Sequence, residues 1–108
     1  MHPQSEQEIQ NAVRVALSSR GHKVFRANVG KVRLPNGRWF ETGLPKGFPD
    51  LFGYRKTDGK TFFIEMKNAK GKRRPEQIQF GNMMTSQPVL YGVARSVDDA
   101  IKIVEETL

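Results

Sequence analysis

The order of helical and extended periodicities predicts a small mixed α/β domain, a mixed β-sheet flanked by helices. Three observations predict it. Amphipathic helical patterns stand at both ends of the chain, short apolar runs bounded by Gly- and Pro-rich turns fill the middle, and one further helical stretch separates the last two extended segments. At 108 residues the chain fits one domain spanning 1–108 with a single small core.

Ser5 to Ser19 reads as a helix, with Ile9, Ala12, Val13, Ala16 and Leu17 at i, i+3, i+4, i+7 and i+8 spacing and Gly21 ending it. Ser5 and Glu8 have capping-box spacing. His22 to Asn28, with Val24 and Phe25, is a short strand. Residues 30–34 and 38–40 then flank Pro35-Asn36-Gly37, and Asn-Gly between alternating apolar and basic residues predicts a hairpin arm. Thr42 to Pro49 carries Gly43, Pro45, Gly47 and Pro49 and is an irregular loop. It leads into a strand at Asp50–Tyr54, a turn at Thr57-Asp58-Gly59, and a strand at Thr61–Lys67. After a basic loop a helix is predicted over 75–86, with Pro75 in its first turn. Val89 to Ala94 is the final strand, and Ser96 caps a last helix with Val97, Ala100, Ile101 and Val104 on one face.

Composition narrows the chemistry. With no Cys there is no disulfide, thiol nucleophile or thiolate metal site, and with His only at 2 and 22 a His-rich zinc site is disfavoured. No apolar run approaches the roughly 20 residues that span a bilayer, and the first residues lack a signal pattern, so a cytoplasmic protein with no membrane partner is expected. Eighteen Lys and Arg against eleven Asp and Glu leave a net charge of +7, which favours a polyanion partner.

Asp50 and the Glu65-Met66-Lys67 tripeptide are the residues with chemistry in them. In an extended strand Glu65 and Lys67 share one face while Ile64 and Met66 take the other. If Asp58-Gly59 is a two-residue turn, Thr57 pairs with Lys60, Asp50 stands opposite Lys67, and Phe52 stands opposite Glu65. Asp50 and Glu65 are then diagonal neighbours, roughly 7–8 Å apart at the backbone. A bulge at the turn would shift that register. A divalent cation can bridge two such carboxylates, and a nearby ammonium can orient a water or stabilise charge on phosphorus. Each motif alone is as readily a turn-to-strand junction or a solvated charge pair; their conjunction in a basic chain favours function.

Gly47-Phe48-Pro49-Asp50, Ile64-Glu65-Met66-Lys67 and Arg74-Pro75-Glu76-Gln77 resemble the PD-(D/E)XK nuclease superfamily, and within it the VRR-NUC (virus-type replication-repair nuclease) family in its short stand-alone form found in phages and bacteria. Glu8-Ile9-Gln10, Phe25 through Gly30 and Thr42 through Gly47 also resemble that form, so the likeness spans nearly the whole chain. It implies a restriction-endonuclease-like core and a Mg²⁺- or Mn²⁺-dependent DNA endonuclease without an organic cofactor, acting on branched DNA such as four-way junctions. It further implies Asp50 and Glu65 as metal-binding acids, Lys67 as the catalytic lysine, Glu8 as the acid from the first helix, and Gln77 as a polar residue of the site. Glu8 has the competing role of helix cap. Gln77, on a helix face with Phe80 and Met84, is either a satisfied buried amide or a group that orders the site.

Five of the eight residues from 67 to 74 are basic. Lys70, Lys72, Arg73 and Arg74 are candidate phosphate contacts, and Arg26 and Lys46, with Lys31, Arg33 and Arg38, could form a second basic arm. Trp39 and Phe40 either stack on bases or pack into the core or a dimer interface. A domain this small is expected to meet a junction as a homodimer. The competing class is a non-catalytic basic DNA-binding module of the same fold, with an RNA-binding protein behind it.

Overall fold

Ser5 starts the first helix as the sequence predicts. Its hydroxyl accepts from the Glu8 amide at 3.1 Å, and Glu8 Oε1 accepts from the Ser5 amide at 3.1 Å, an arrangement contributing about 1 kcal/mol. In this computed structural model, which describes residues 4–106, the elements run α1 (Glu6–Ser19), β1 (Lys23–Arg26), β2 (Lys31–Arg33), β3 (Trp39–Glu41), β4 (Leu51–Tyr54), β5 (Thr61–Met66), α2 (Pro75–Thr85), β6 (Leu90–Ala94) and α3 (Val97–Glu105). The chain terminus at Met1 and His2, included in the sequence-based reading, lies outside the described residues.

The main sheet has the order β1-β4-β5-β6, antiparallel except for the parallel β5–β6 pair. The parallel pair is what the helix between its strands requires: β5 leaves the sheet, α2 crosses over, and β6 returns alongside. Strand alternation then divides the side chains. Leu51, Phe62, Ile64, Met66, Leu90 and Ala94 meet Ile9, Val13 and Leu17 of α1 and Ala100 and Val104 of α3 in the core. Phe52, Phe63 and Glu65 lie on the opposite face, under α2.

The expected register of β4 on β5 is wrong by two residues. Leu51 faces Ile64 and Phe52 faces Phe63, so one step further Asp50 is level with Glu65, not with Lys67. The turn is longer than Asp58-Gly59: the Arg55 amide donates to the Lys60 carbonyl at 3.0 Å, leaving residues 56–59 in the loop. Asp58 causes this. Its carboxylate takes both Nε and Nη2 of Arg55 at 2.7 Å, and the buried Arg55 is held in turn by the Val104 carbonyl at 3.0 Å. A slip of two preserves the face of every side chain.

Among the described residues β2 and β3 pair only with each other, as a separate two-stranded ribbon with Val32 opposite Phe40 and Arg33 opposite Trp39. Gly37, at φ 84°, supplies the left-handed residue of the turn that Asn36-Gly37 announced. The alternative that put Trp39 and Phe40 in the core is overturned. They are 62% and 56% exposed, because the ribbon projects from the main sheet.

Candidate active site

Two backbone contacts fix Asp50 at the mouth of β4. Its carbonyl accepts from the Ala27 amide at 2.8 Å, and its Oδ2 accepts from the Met66 amide at 2.8 Å. Its delivery depends on the preceding loop. Pro49 is fully buried, and the Phe48 ring sits among Phe52, Phe63 and Phe80 at centroid distances of 6.0, 5.8 and 5.3 Å. Gly47, at φ 90°, runs so close to the first turn of α2 that a Cβ there would strike the Glu76 carbonyl. Loop, helix and strand are thereby clamped together around Asp50.

Glu65 has no exposed surface. Its Oε1 accepts from Gln77 Nε2 at 3.0 Å, while Oε2 has no hydrogen-bond partner among the described residues. Gln77, itself buried, completes the link: its Oε1 accepts from the Arg74 amide at 2.8 Å. Gln77 is therefore both a satisfied amide and the group that holds Glu65. Burial, proton sharing with Asp50 and the Asp50 charge push the Glu65 carboxyl up to about 9, against the pull of Lys67. When both acids are ionised neither can donate to the other; a proton on Glu65 lets it bond to Asp50. Lys67 follows β5 as a largely buried residue, its amide tied to the Ala94 carbonyl at 3.0 Å.

Glu8, expected as a third acid, is exposed and occupied in the helix cap. The α1 acid that feels the site is Glu6, whose carboxyl is raised by burial first and by the Asp50 charge second, with Lys67 and Arg74 opposing. Spacing could not separate the two, since both lie in the first helical turn. Among the described residues no group of three His, Cys, Asp or Glu is gathered as a ligand set. The donors close together are two carboxylates. An orphaned buried carboxylate oxygen beside a second acid is a donor set that suits a hard dication, since Mg²⁺ commonly takes one or two carboxylates and fills its shell with water and phosphate.

Asp50 and Gln77 open into a cleft of about 300 Å³ walled by Val29, Gly30, Lys31, Lys46, Arg74 and Glu76. Of the expected phosphate contacts, Lys46 and Arg74 line this cleft, while Lys70 and Lys72 are exposed on the neighbouring loop. Arg73 lies on another wall with Arg95 and Lys102. Arg26 is exposed, and its pairing with Leu51 puts it on the sheet face opposite the acids. The basic loop itself is shaped by a residue that the sequence reading missed. Arg95 Nη1 donates to the Asn68 and Gly71 carbonyls at 2.7 and 2.6 Å, and Asn68 Oδ1 accepts from the Lys70 and Gly71 amides.

The family model for the VRR-NUC domain matches residues 4–98. The chain belongs to the VRR-NUC family. This is a nuclease family. A solved structure titled as a VRR_NUC domain is similar in fold, with a TM-score of 0.68 and 20% identity over 95% of this chain and 97% of that one. No functionally curated protein matches the chain. Among the described residues of this VRR-NUC domain, no helix is long and apolar enough to cross a membrane.

Proposed function

We propose that this VRR-NUC domain is a divalent-metal-dependent DNA endonuclease, selective for DNA structure rather than sequence, with Asp50, Glu65 and Lys67 as its catalytic group. The observation that carries the reading is Glu65, a buried carboxylate with one oxygen unpartnered among the described residues, level with Asp50 across the β4–β5 pair. Asp50 and Glu65 would hold Mg²⁺ or Mn²⁺, which when bound neutralises phosphate charge and lowers the pKa of water. Gln77 fixes the rotamer of Glu65. Lys67 keeps a cation beside the acids for the phosphate or the attacking water. Lys46 and Arg74, at the cleft walls, bind backbone phosphates and set the strand over Asp50. These contacts carry no base identity, which supports recognition by shape.

A homodimer acting on branched DNA suits the arm. Val32, Leu34 and Phe40 are 40%, 38% and 56% exposed, and pairing two copies through that apolar side would offer two clefts to one substrate.

Cleavage of labelled duplex, flap and four-way-junction DNA with and without Mg²⁺ and Mn²⁺ tests the reading. Activity should require metal, favour branched substrates, and fall by roughly a hundredfold or more in Asp50→Ala, Glu65→Ala and Lys67→Ala, with DNA binding retained. The same assay separates the competing reading, a non-catalytic DNA-binding module of this fold. Binding without metal-dependent cleavage of any substrate would establish it.

A further inference from the structure

The ribbon of β2 and β3 has two unlike sides. Val32 and Phe40 are opposite one another on one side; Lys31, Arg33, Trp39 and Glu41 share the other. On that second side the Arg33 guanidinium lies over the Trp39 ring, 5.7 Å from its centroid, and Trp39 is the most exposed aromatic side chain, at 62%. A cation resting on one face of an indole leaves the other face open. The ribbon is also continuous with the cleft, since Val29, Gly30 and Lys31 form part of the cleft wall beside Asp50.

Resting on the nuclease reading, we infer that the Lys31–Arg33–Trp39 side of this arm is a second nucleic-acid contact, in which Trp39 stacks on an unpaired base near the cleaved phosphate. Three features choose this ligand. Stacking needs a flat apolar face open to solvent, and Trp39 has one. Lys31 and Arg33 outweigh Glu41 on that side, so it attracts phosphate and disfavours a second copy of itself. Bases inside a duplex are already stacked, so an open indole finds partners only where pairing is broken. At about 3.3 Å per strand residue, Trp39 is level with a point some 7 Å beyond Lys31, which itself lines the cleft beside Asp50. The arm thus selects DNA with an unpaired base just beside the cut, such as a flap or an open junction.

Trp39 is the chain's single tryptophan, so its fluorescence reports the contact directly. The full chain is titrated in EDTA with a single-stranded oligonucleotide, a flap and a fully paired duplex. Quenching by the first two and little by the duplex is expected. Trp39→Ala should weaken binding of the flap by roughly 5- to 100-fold, and Trp39→Phe should recover most of it. The inference is overturned if DNA binds without changing the fluorescence, if the duplex quenches equally, or if Trp39→Ala binds as tightly as wild type. It also fails if the emission follows protein concentration and Trp39→Ala changes only the oligomeric state, or if no DNA binds. Cleavage with metal is read separately: a chain that cuts without quenching defeats the arm alone, and one that quenches without cutting defeats the nuclease reading alone.

Discussion

Gln77 and Glu65 are joined by one buried hydrogen bond of 3.0 Å, and the same Gln77 side chain accepts from the Arg74 amide at 2.8 Å. One amide thus closes the first turn of α2 and orients the acid. Gln77→Leu would leave both the Arg74 amide and Glu65 Oε1 without partners. Stability should fall by about 1–3 kcal/mol, read by urea denaturation, and metal affinity by roughly 10–100-fold, read by calorimetry.

The buried Glu65 makes the metal-free fold sensitive to alkali. Its carboxyl titrates near 9 in the folded chain against a reference of 4.5. A raised folded value means that its stabilising contribution is complete below about 4.5 and is lost as pH rises toward 9. In EDTA the melting temperature of wild type should therefore fall across that interval relative to Glu65→Gln, which has no charge to bury. Mg²⁺ should raise the melting temperature more at pH 8 than at pH 5, because it binds the ionised acid. Parallel pH profiles for wild type and Glu65→Gln in EDTA would contradict this.

The elements and the faces of the site were legible in the sequence because they follow from period and punctuation. Ser5, Ser96 and Pro75 mark helix starts that the structure keeps, and alternation alone put Ile64 and Met66 on the side away from Glu65. The register was not legible. It turns on Arg55 reaching both Asp58 and the Val104 carbonyl, and the second of these contacts is made across 49 residues of sequence. The coupling of Glu6 to Asp50 was hidden for a similar reason: it depends on how α1 docks, whereas the Ser5–Glu8 spacing is local. Arg95 carried no motif, and its grip on the loop of Asn68 and Gly71 appears only once β6 lies beside β5.

Far from the cleft, Glu105 ties α3 to the end of α1. It takes Arg20 through both of its oxygens and accepts from or shares a proton with the buried His22 at 2.7 Å, while His22 Nδ1 accepts from the Lys56 amide at 3.0 Å. Hydrogen bonds from Arg20 first and His22 second hold its carboxyl down at about 2. A depressed folded value contributes stability above about 4.5 that is lost as pH falls toward 2. Glu105→Gln should lower the melting temperature at pH 6 by no more than about 4–8 °C, since a partly exposed ion pair contributes at most about 1 kcal/mol. The gap from wild type should close by pH 2. Calorimetry across that range checks it, and DNA cleavage at pH 7 and 25 °C should be unchanged.

Gly47 and Gly43 belong to one loop and have nearly the same backbone, φ 90° and 86°, yet differ in surroundings. A Cβ on Gly43 meets nothing within 4 Å, whereas one on Gly47 runs into the Glu76 carbonyl and the Gln77 amide. Gly43→Ala therefore reads the cost of a left-handed alanine alone, about 1–2 kcal/mol. Gly47→Ala carries that cost and also pushes the loop off α2, moving Phe48 and Asp50 away from Gln77 and Glu65. Both variants should lose stability in urea, Gly47→Ala more. Only Gly47→Ala should lose cleavage rate at a temperature where both remain folded, because only it separates the two acids. Equal rates for the two variants would mean that the loop does not position Asp50.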